Sequence, residues 1–438
     1  MDAPSQSLNN VADQETFTVL VTGANSGLGF AICCRLIDEF LFSRPQSQAL
    51  HILYTTRDGK KSEDTRVRLN AHLQNTLREA NGKTMGISLL LEKRVKFEGV
   101  LVDLAQLVTV KALAQQLLQR RQKLDAVVWN AGIGGWTGTN WPKAIWTLLT
   151  DIIQASTWPT YQNSEIGTLA KQKGLATTEE KTPPLGQVFT ANVFGHYMLT
   201  HWLSPLLDSD SRIVWVGSIT GLPNFFSLSD LQCLRAHDAY ESSKRLTDLL
   251  VLTSDLPSTA PFTQTFLPTP PSTPKPKMYL THPGILATSI ASVFFLLEPF
   301  MVAFFYLARW LGSPWHTVTA YKAAVSACFC VLAPAPQLEE LEKRDGKGKW
   351  GSAVSVAGDE RVARTETEGW GFCGKAGEVP SGSMTAKAGR HRGMKETGRE
   401  EREEFEVLGR EVWREMEALR VGWEGRLGKV GQEASEDF

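Results

Sequence analysis

Apolar and polar residues alternate along much of the chain in blocks whose lengths are typical of strands and helices. Short apolar runs rich in β-branched residues predict buried strands, and longer stretches with helical periodicity predict helices. The predicted strands cover residues 17–22, 51–56, 100–104, 125–129, 212–217 and 278–282. The predicted helices cover about 28–42, 62–80, 106–121, 186–207 and 238–256.

This alternation predicts an α/β fold, a doubly wound parallel sheet with helices on both faces, within a domain of residues 16–336. Residues 134–184 interrupt it and are rich in Trp, Gly, Thr and Pro, which predicts a surface insertion with some helix. Residues 257–277 contain seven prolines and predict an exposed loop. Residues 1–15 are predicted to be disordered and lack the basic and apolar regions of a signal peptide.

The composition changes after residue 336. Residues 337–438 carry 22 acidic and 18 basic side chains, so 40 of these 102 residues are charged. Such a composition predicts a C-terminal extension that is mostly solvated or loosely ordered. Within it, about 400–427 is predicted to form an amphipathic helix that either docks on the main domain or binds a partner. The apolar residues at helical spacing are Phe405, Leu408, Val412, Met416, Leu419 and Trp423.

Charge and cysteine content exclude two classes of function. The formal net charge of −1 argues against nucleic-acid binding, which usually needs a basic surface. The six cysteines form no CxxC pair, and no histidine cluster accompanies them at metal-ligand spacing. We therefore predict reduced structural cysteines, no metal site and a protein that faces the cytosol.

A glycine-rich loop follows the first predicted strand and precedes the first predicted helix. Glycines permit a tight turn and close approach of the backbone to a pyrophosphate, while the helix N-terminus offers free N–H groups to that anion. This position between strand and helix makes the loop a candidate dinucleotide site. The candidate residues are Gly23, Asn25, Ser26, Gly27, Leu28 and Gly29.

The spacing Gly-x-x-x-Gly-x-Gly of this loop resembles that of the short-chain dehydrogenase/reductase family. Asn130-Ala131-Gly132 after the fourth strand matches a second family motif, and Asp103-Leu104 matches the family residues that contact adenine. The resemblance covers about residues 16–330. It implies a Rossmann-type fold and a nicotinamide cofactor that Asp103 and Asn130 help to bind.

Cofactor choice is expected to depend on the end of the second strand. An acidic residue there would accept hydrogen bonds from the ribose of NAD and repel the 2′-phosphate of NADP. The chain instead has Arg57, which can pair with a phosphate and stack on adenine. Asp58 lies beyond this arginine. The sequence therefore favours NADPH.

Tyr240 and Lys244 are spaced i and i+4, so they lie on one face of a predicted helix. A free tyrosine has a pKa of about 10. A neighbouring ammonium, together with the positive nicotinamide, favours the phenolate and is expected to lower that pKa. The pair follows Ser218, which comes at the end of a predicted strand.

The family resemblance assigns a role to each of these residues. Tyr240 would donate the proton, Lys244 would also bind the nicotinamide ribose, and Ser218 would orient the substrate carbonyl. Asn192 matches the helix asparagine that holds a water molecule in the proton relay. Thr288, which follows the Pro-Gly turn beneath the nicotinamide, would bind the carboxamide.

Residues 290–312 are apolar and follow that turn directly. In the family this region is the substrate lid, so an apolar lid is consistent with a large apolar substrate or a membrane surface. Buried core helices and a membrane-spanning helix are alternatives. A charge at Glu298 and a helix interruption at Pro299 argue against a spanning helix.

Residues 134–141, 240–250 and 347–352, the last continuing into 360–364, resemble the 3-keto sterol reductases of fungal ergosterol synthesis. The resemblance implies NADPH-dependent reduction of the 3-keto group of a C-4-demethylated sterol to the 3β-alcohol. It also implies a site at the endoplasmic reticulum membrane and lipid droplets, beside the other C-4 demethylation enzymes and oxidosqualene cyclase. A retinal or general carbonyl reductase and a non-catalytic scaffold on the same fold are the alternatives.

Overall fold

The computed structural model describes residues 15–173, 183–270, 273–287, 298–377, 379–380, 383 and 389–436. Most of the N-terminal segment predicted to be disordered therefore lies outside the described residues. Glu15, the last residue of that segment, is instead the first residue of a strand.

Eight of the ten strands in the described residues form one sheet in the order β10-β9-β8-β7-β4-β1-β2-β3. All neighbours in this sheet are parallel except β10, which is antiparallel to β9. The other two strands, β5 and β6, form an antiparallel pair. The strands are β1 (Glu15–Val21), β2 (Gln48–Thr56), β3 (Val95–Leu101), β4 (Ala126–Trp129), β5 (Trp136–Thr139), β6 (Gln162–Ser164), β7 (Arg212–Val216), β8 (Lys277–His282), β9 (Lys349–Val354) and β10 (Glu360–Thr365).

Helices cover both faces of the sheet and bury an apolar core under each. The helices in the described residues are α1 (Gly27–Ser43), α2 (Gly59–Lys83), α3 (Ile87–Glu92), α4 (Leu107–Arg120), α5 (Trp141–Thr150), α6 (Ile152–Thr157), α7 (Gln187–Phe189), α8 (Gly195–Leu203), α9 (Ala239–Thr253), α10 (Ala260–Phe266), α11 (Glu298–Trp310), α12 (Ala320–Ala323), α13 (Val325–Leu332), α14 (Ala335–Asp345) and α15 (Arg399–Glu436). A π-helical turn, Thr190–Phe194, joins α7 to α8, and short 3-10 turns cover Ser204–Leu206, Pro223–Phe225 and Leu228–Asp230. The predicted Rossmann-type fold is confirmed.

Two elements differ from the prediction. The third strand was placed at 100–104 but runs from Val95 to Leu101. It is an edge strand with polar and partly exposed residues. Its alternation of apolar and polar residues is therefore a weaker sequence signal than the apolar run that follows it. The proline-rich segment 257–277 was expected to be an exposed loop but contains α10. Pro261 lies in the first turn of this helix, where proline is tolerated, and Phe266 at its end is buried.

The tail is also more ordered than predicted. Its strands β9 and β10 extend the main sheet, so the sheet does not end at residue 336. The amphipathic helix is α15, which packs against α9 and α10 and buries Phe405, Val412, Met416 and Trp423. Many tail charges form ion pairs along α15, such as the exposed Arg399 with Glu403 at 2.9 Å. The high charge therefore belongs largely to the polar side of packed elements.

The apolar segment 290–312 is described only from Glu298 onward. Pro299 does not end α11, which continues from it to Trp310. Phe300 and Trp310 are exposed, so α11 is not a buried core helix. Within the described part of the chain, no helix combines the length and apolar content required to cross a membrane. All six cysteines are buried and free.

Candidate active site

The glycine-rich loop lies between β1 and α1, at the carboxyl edge of the sheet. Gly23 and Gly27 have φ angles of +68° and +56°, a region that favours glycine. A Cβ atom on Gly29 would lie 2.3 Å from the carbonyl oxygen of Gly23, and one on Gly23 would lie 2.8 Å from Cα of Ala131. The three glycines are therefore required by the backbone of the loop and its neighbour.

Asn130 braces this loop from β4. Its Nδ2 donates to the carbonyl oxygen of Thr22 at 2.9 Å, and its backbone N–H donates to the Thr22 hydroxyl at 3.0 Å. Ser26 is the N-cap of α1, yet its side chain caps no helix N–H. The first-turn amides of a 17-residue helix thus remain available to an anion. The loop fits the pyrophosphate of a nicotinamide dinucleotide. This cofactor supplies a hydride when it is bound.

The remaining cofactor candidates lie along the same edge. Arg57 is exposed directly after β2, while Asp58 is the N-cap of α2 and accepts a hydrogen bond from the Lys61 N–H at 2.8 Å. Asp58 therefore has a structural role in the helix. The carboxylate of Asp103 accepts a hydrogen bond from the N–H of Ala105 at 3.1 Å. Thr288 lies outside the described residues.

The candidate catalytic residues come from the end of β7 and from α9. Tyr240 and Lys244 share one face of α9, with Nζ of Lys244 5.4 Å from the centre of the Tyr240 ring. Lys244 donates a hydrogen bond to the carbonyl oxygen of Val216 at 2.9 Å. The Ser218 hydroxyl lies 2.9 Å from that of Thr220 and also interacts with the Tyr240 phenol. The structure thus brings Ser218, Tyr240 and Lys244 together.

The expected lowering of the Tyr240 pKa is not seen in the protein alone. Burial raises the pKa of Tyr240 above its ordinary value, and the Glu241 carboxylate raises it further, while the Ser218 hydrogen bond acts in the opposite direction. Burial also lowers the pKa of Lys244 to about 8. Tyr240 is therefore a protonated phenol at neutral pH, the form that can donate a proton to a carbonyl oxygen.

Asn192 lies in the π-helical turn, a feature that the sequence pattern did not predict. Its Oδ1 accepts from the N–H of Ile133 at 2.8 Å, and its Nδ2 donates to the carbonyl oxygen of Ile133 at 3.0 Å and to Ser243 Oγ at 3.1 Å. Ser243 in turn donates to the carbonyl oxygen of Tyr240 at 2.6 Å. Asn192 thus links the loop after β4 to the first turn of α9. Its role in a water relay stays a prediction.

Comparison with known proteins decides the family. The chain is 42% identical to "3-keto-steroid reductase erg27" of Aspergillus fumigatus, over 96% of this chain and 96% of that protein. It is 36% identical to "3-keto-steroid reductase ERG27" of Gibberella zeae, over 96% and 97% of the two chains. The chain belongs to the fungal 3-keto-steroid reductases. These are short-chain dehydrogenases/reductases, so the family prediction is confirmed.

Two other comparisons add less. No family model matches the chain. Among solved structures, the fold is similar to that of L-sorbose reductase from Gluconobacter frateurii complexed with NADPH and L-sorbose. That match has 15% identity, covers 72% of this chain and 90% of the other, and has a TM-score of 0.40.

Two residues of this 3-keto-steroid reductase site were missed from the sequence. Trp136, on β5 of the insertion, places its ring 4.8 Å from that of Tyr240 at an angle of 56°. Glu241 is buried beside Tyr240, and burial raises its pKa to about 7. The sequence signals for Trp136 were the tryptophan-rich composition of the insertion and its place in the stretch 134–141, and neither indicates what the ring contacts.

Proposed function

We propose that this chain reduces the 3-keto group of a C-4-demethylated sterol intermediate to the 3β-alcohol, with NADPH as hydride donor. Ser218 would hydrogen-bond the ketone oxygen, and the Tyr240 phenol would give its proton to that oxygen as negative charge develops. Lys244 would bind the nicotinamide ribose, and Asn192 would hold the relay water. The observation that carries the sterol assignment is the 42% identity to a 3-keto-steroid reductase over almost the full length of both chains.

A direct assay tests this function. Purified protein would be incubated with NADPH and either zymosterone or retinal, and the alcohols would be separated and quantified by mass spectrometry. We expect conversion of the sterol ketone. Turnover of retinal without turnover of the sterol would contradict the proposal and favour a general carbonyl reductase. Turnover of neither would favour a scaffold.

Arg57 supports the choice of NADPH, because it lies exposed directly after β2, the strand whose end is expected to meet the adenosine ribose. We expect Arg57→Ala to raise KM for NADPH by about 10- to 100-fold, since a hydrogen bond to a charged group contributes about 1.5–3 kcal/mol. The KM for NADH would change little. Initial rates with both cofactors measure this. Lys60→Ala, at an exposed cation in the same turn region, is the matched control. An equal loss with NADH would contradict the assignment.

We also propose that the protein acts on a membrane surface, at the endoplasmic reticulum and lipid droplets, beside the other C-4 demethylation enzymes and oxidosqualene cyclase. Two helices support the membrane part of this proposal. Helices α5 and α11 both lie beside α6 and carry large exposed apolar side chains. Tryptophan and tyrosine among them are typical of membrane interfaces. We call these side chains the apolar face; they are Trp141, Ile145, Trp146, Leu149, Phe300, Phe304, Tyr306, Leu307, Trp310 and Leu311.

Helix α6, which lies beside both helices of the apolar face, is linked to the catalytic residues through Trp158. Trp158, which directly follows α6, donates its indole N–H to the carbonyl oxygen of Ile219 at 3.2 Å, and Ile219 is next to Ser218 in the chain. This arrangement supports a protein that takes its substrate from lipid.

The double variant Trp146→Ser/Leu149→Ser tests membrane binding, because these side chains are 70% and 79% exposed and contribute little to the core. We expect its affinity for phosphatidylcholine–phosphatidylinositol vesicles to fall about tenfold or more, which corresponds to about 1.4 kcal/mol of lost apolar burial. Vesicle sedimentation measures it. Leu89→Ser/Leu90→Ser, on exposed residues of α3 before β3, is the control. Equal binding by both variants would contradict a role for the apolar face.

A further inference from the structure

Lys349 is the first residue of β9, in the part of the chain beyond residue 336. Its side chain is only 4% exposed, and its ammonium donates to Asp248 Oδ2 at 2.5 Å and to the carbonyl oxygen of Ser218 at 2.9 Å. A buried ammonium is costly unless its hydrogen bonds are satisfied. These two acceptors come from two different elements of the catalytic site.

Asp248 belongs to the catalytic helix α9. It lies four residues after Lys244 and eight after Tyr240, so the three side chains follow one face of the helix. Asp248 is fully buried. Lys349 therefore connects the helix that carries Tyr240 and Lys244 to the loop that carries Ser218.

The sheet fixes Lys349 at this position. Parallel pairing places Lys349 opposite Leu280 and Gly351 opposite His282. A Cβ atom on Gly351 would lie 2.4 Å from Nε2 of His282, so the His282 ring occupies the space that a side chain at Gly351 would need. The other buried charges beside Asp248 are Arg245, which donates to the carbonyl oxygen of Glu368 at 2.9 Å, and Lys244, which donates to that of Val216 at 2.9 Å. Lys349 is the residue of this cluster that reaches the Ser218 backbone.

We propose that Lys349 is a positioning residue for the reduction, which fixes the Ser218 backbone relative to Tyr240 and so makes catalysis depend on the C-terminal strand. A neutral apolar pair could fill the same space with equal stability. Only a donor at this position can hold the carbonyl oxygen of Ser218. The inference rests on the proposed function, since Ser218 must contact the ketone for its position to affect the rate.

The test compares two variants so that loss of folding does not obscure the result. Lys349→Met alone would leave Asp248 buried without its ion-pair partner, so the double variant Lys349→Met/Asp248→Asn is compared with Asp248→Asn. Asp248→Asn keeps the donor to Ser218, because its amide oxygen can still accept from Lys349. We expect kcat of the double variant to be at least about tenfold below that of Asp248→Asn, with KM for NADPH equal within about twofold. A residue that only stabilised the fold would not lower kcat while leaving KM for NADPH unchanged.

Lys347 offers a matched control in the same stretch of chain. Its ammonium pairs with Asp255 at 2.6 Å and donates to the hydroxyl of Ser254, the C-cap of α9, at 2.8 Å, so it bonds at the opposite end of α9 from Tyr240. We expect Lys347→Gln to keep kcat within about twofold of wild type. Equal kcat in the double variant and Asp248→Asn would overturn the proposal, as would loss of cooperative melting in both. Failure of the wild type to reduce the sterol would instead refute the proposed function.

Discussion

Tyr240→Phe is expected to lower the rate of ketone reduction roughly 10³-fold while leaving NADPH binding close to that of the wild type. The substitution removes the phenol O–H and keeps the ring that packs against Trp136 at 4.8 Å, so it creates no cavity. A general acid typically contributes about 10²- to 10⁴-fold to the rate. Single-turnover oxidation of NADPH measures the chemical step, and quenching of protein fluorescence measures binding of NADPH.

Tyr321→Phe provides the control for this experiment. The Tyr321 hydroxyl donates to the carboxylate of Asp38, on α1, at 2.7 Å. This pair is remote from Ser218. It should reduce the ketone at a rate within about twofold of wild type. Full activity in Tyr240→Phe would refute the assignment of the proton donor, and lost NADPH binding would show that the hydroxyl acts mainly in the cofactor site.

Trp413→Ala is expected to destabilise the protein by about 3–5 kcal/mol, the usual cost of removing a large buried aromatic side chain. Trp413 is 1% exposed and lies at the centre of the contact between α15 and the main domain. Its ring centre is 5.8 Å from that of Tyr197 and 5.3 Å from that of Phe266. Its indole N–H donates to the carbonyl oxygen of Leu250, on the catalytic helix, at 3.2 Å.

The free energy of unfolding in urea measures this effect, and Val421→Ala is the control on the same helix. Val421 is 58% exposed, so its truncation is expected to change stability by no more than about 0.5 kcal/mol. If both variants unfolded at the same urea concentration, docking of α15 would contribute nothing to the stability of the domain.

The cofactor loop and the catalytic helix could be predicted because each is specified locally. Gly23, Gly27 and Gly29 define a turn through their own backbone geometry, and Tyr240 and Lys244 share a face because a helix repeats every 3.6 residues. The order of these motifs along the chain then identified the family. Features of this kind require no knowledge of what packs against them.

The rest of the site depends on contacts between residues far apart in the sequence. Trp136 contacts Tyr240 although about a hundred residues separate them in the sequence. Lys349 contacts Ser218 across a similar sequence separation. The charge density beyond residue 336 predicted a loosely ordered tail. The prediction failed because the charged residues on exposed faces outnumber the few buried apolar residues that pack the tail against the domain. Strands β9 and β10 are short, and their partner could not be identified from their own residues.

The position of β9 in the sheet has a consequence for synthesis of the protein. The cofactor loop and the catalytic helix are translated before β9 and α15. Until they emerge, the apolar side of α9 and the free edge of β8 are exposed on the nascent chain, and exposed strand edges promote aggregation. The final assembly step therefore follows translation of β9 and α15, and an aggregation-prone strand edge is exposed until then.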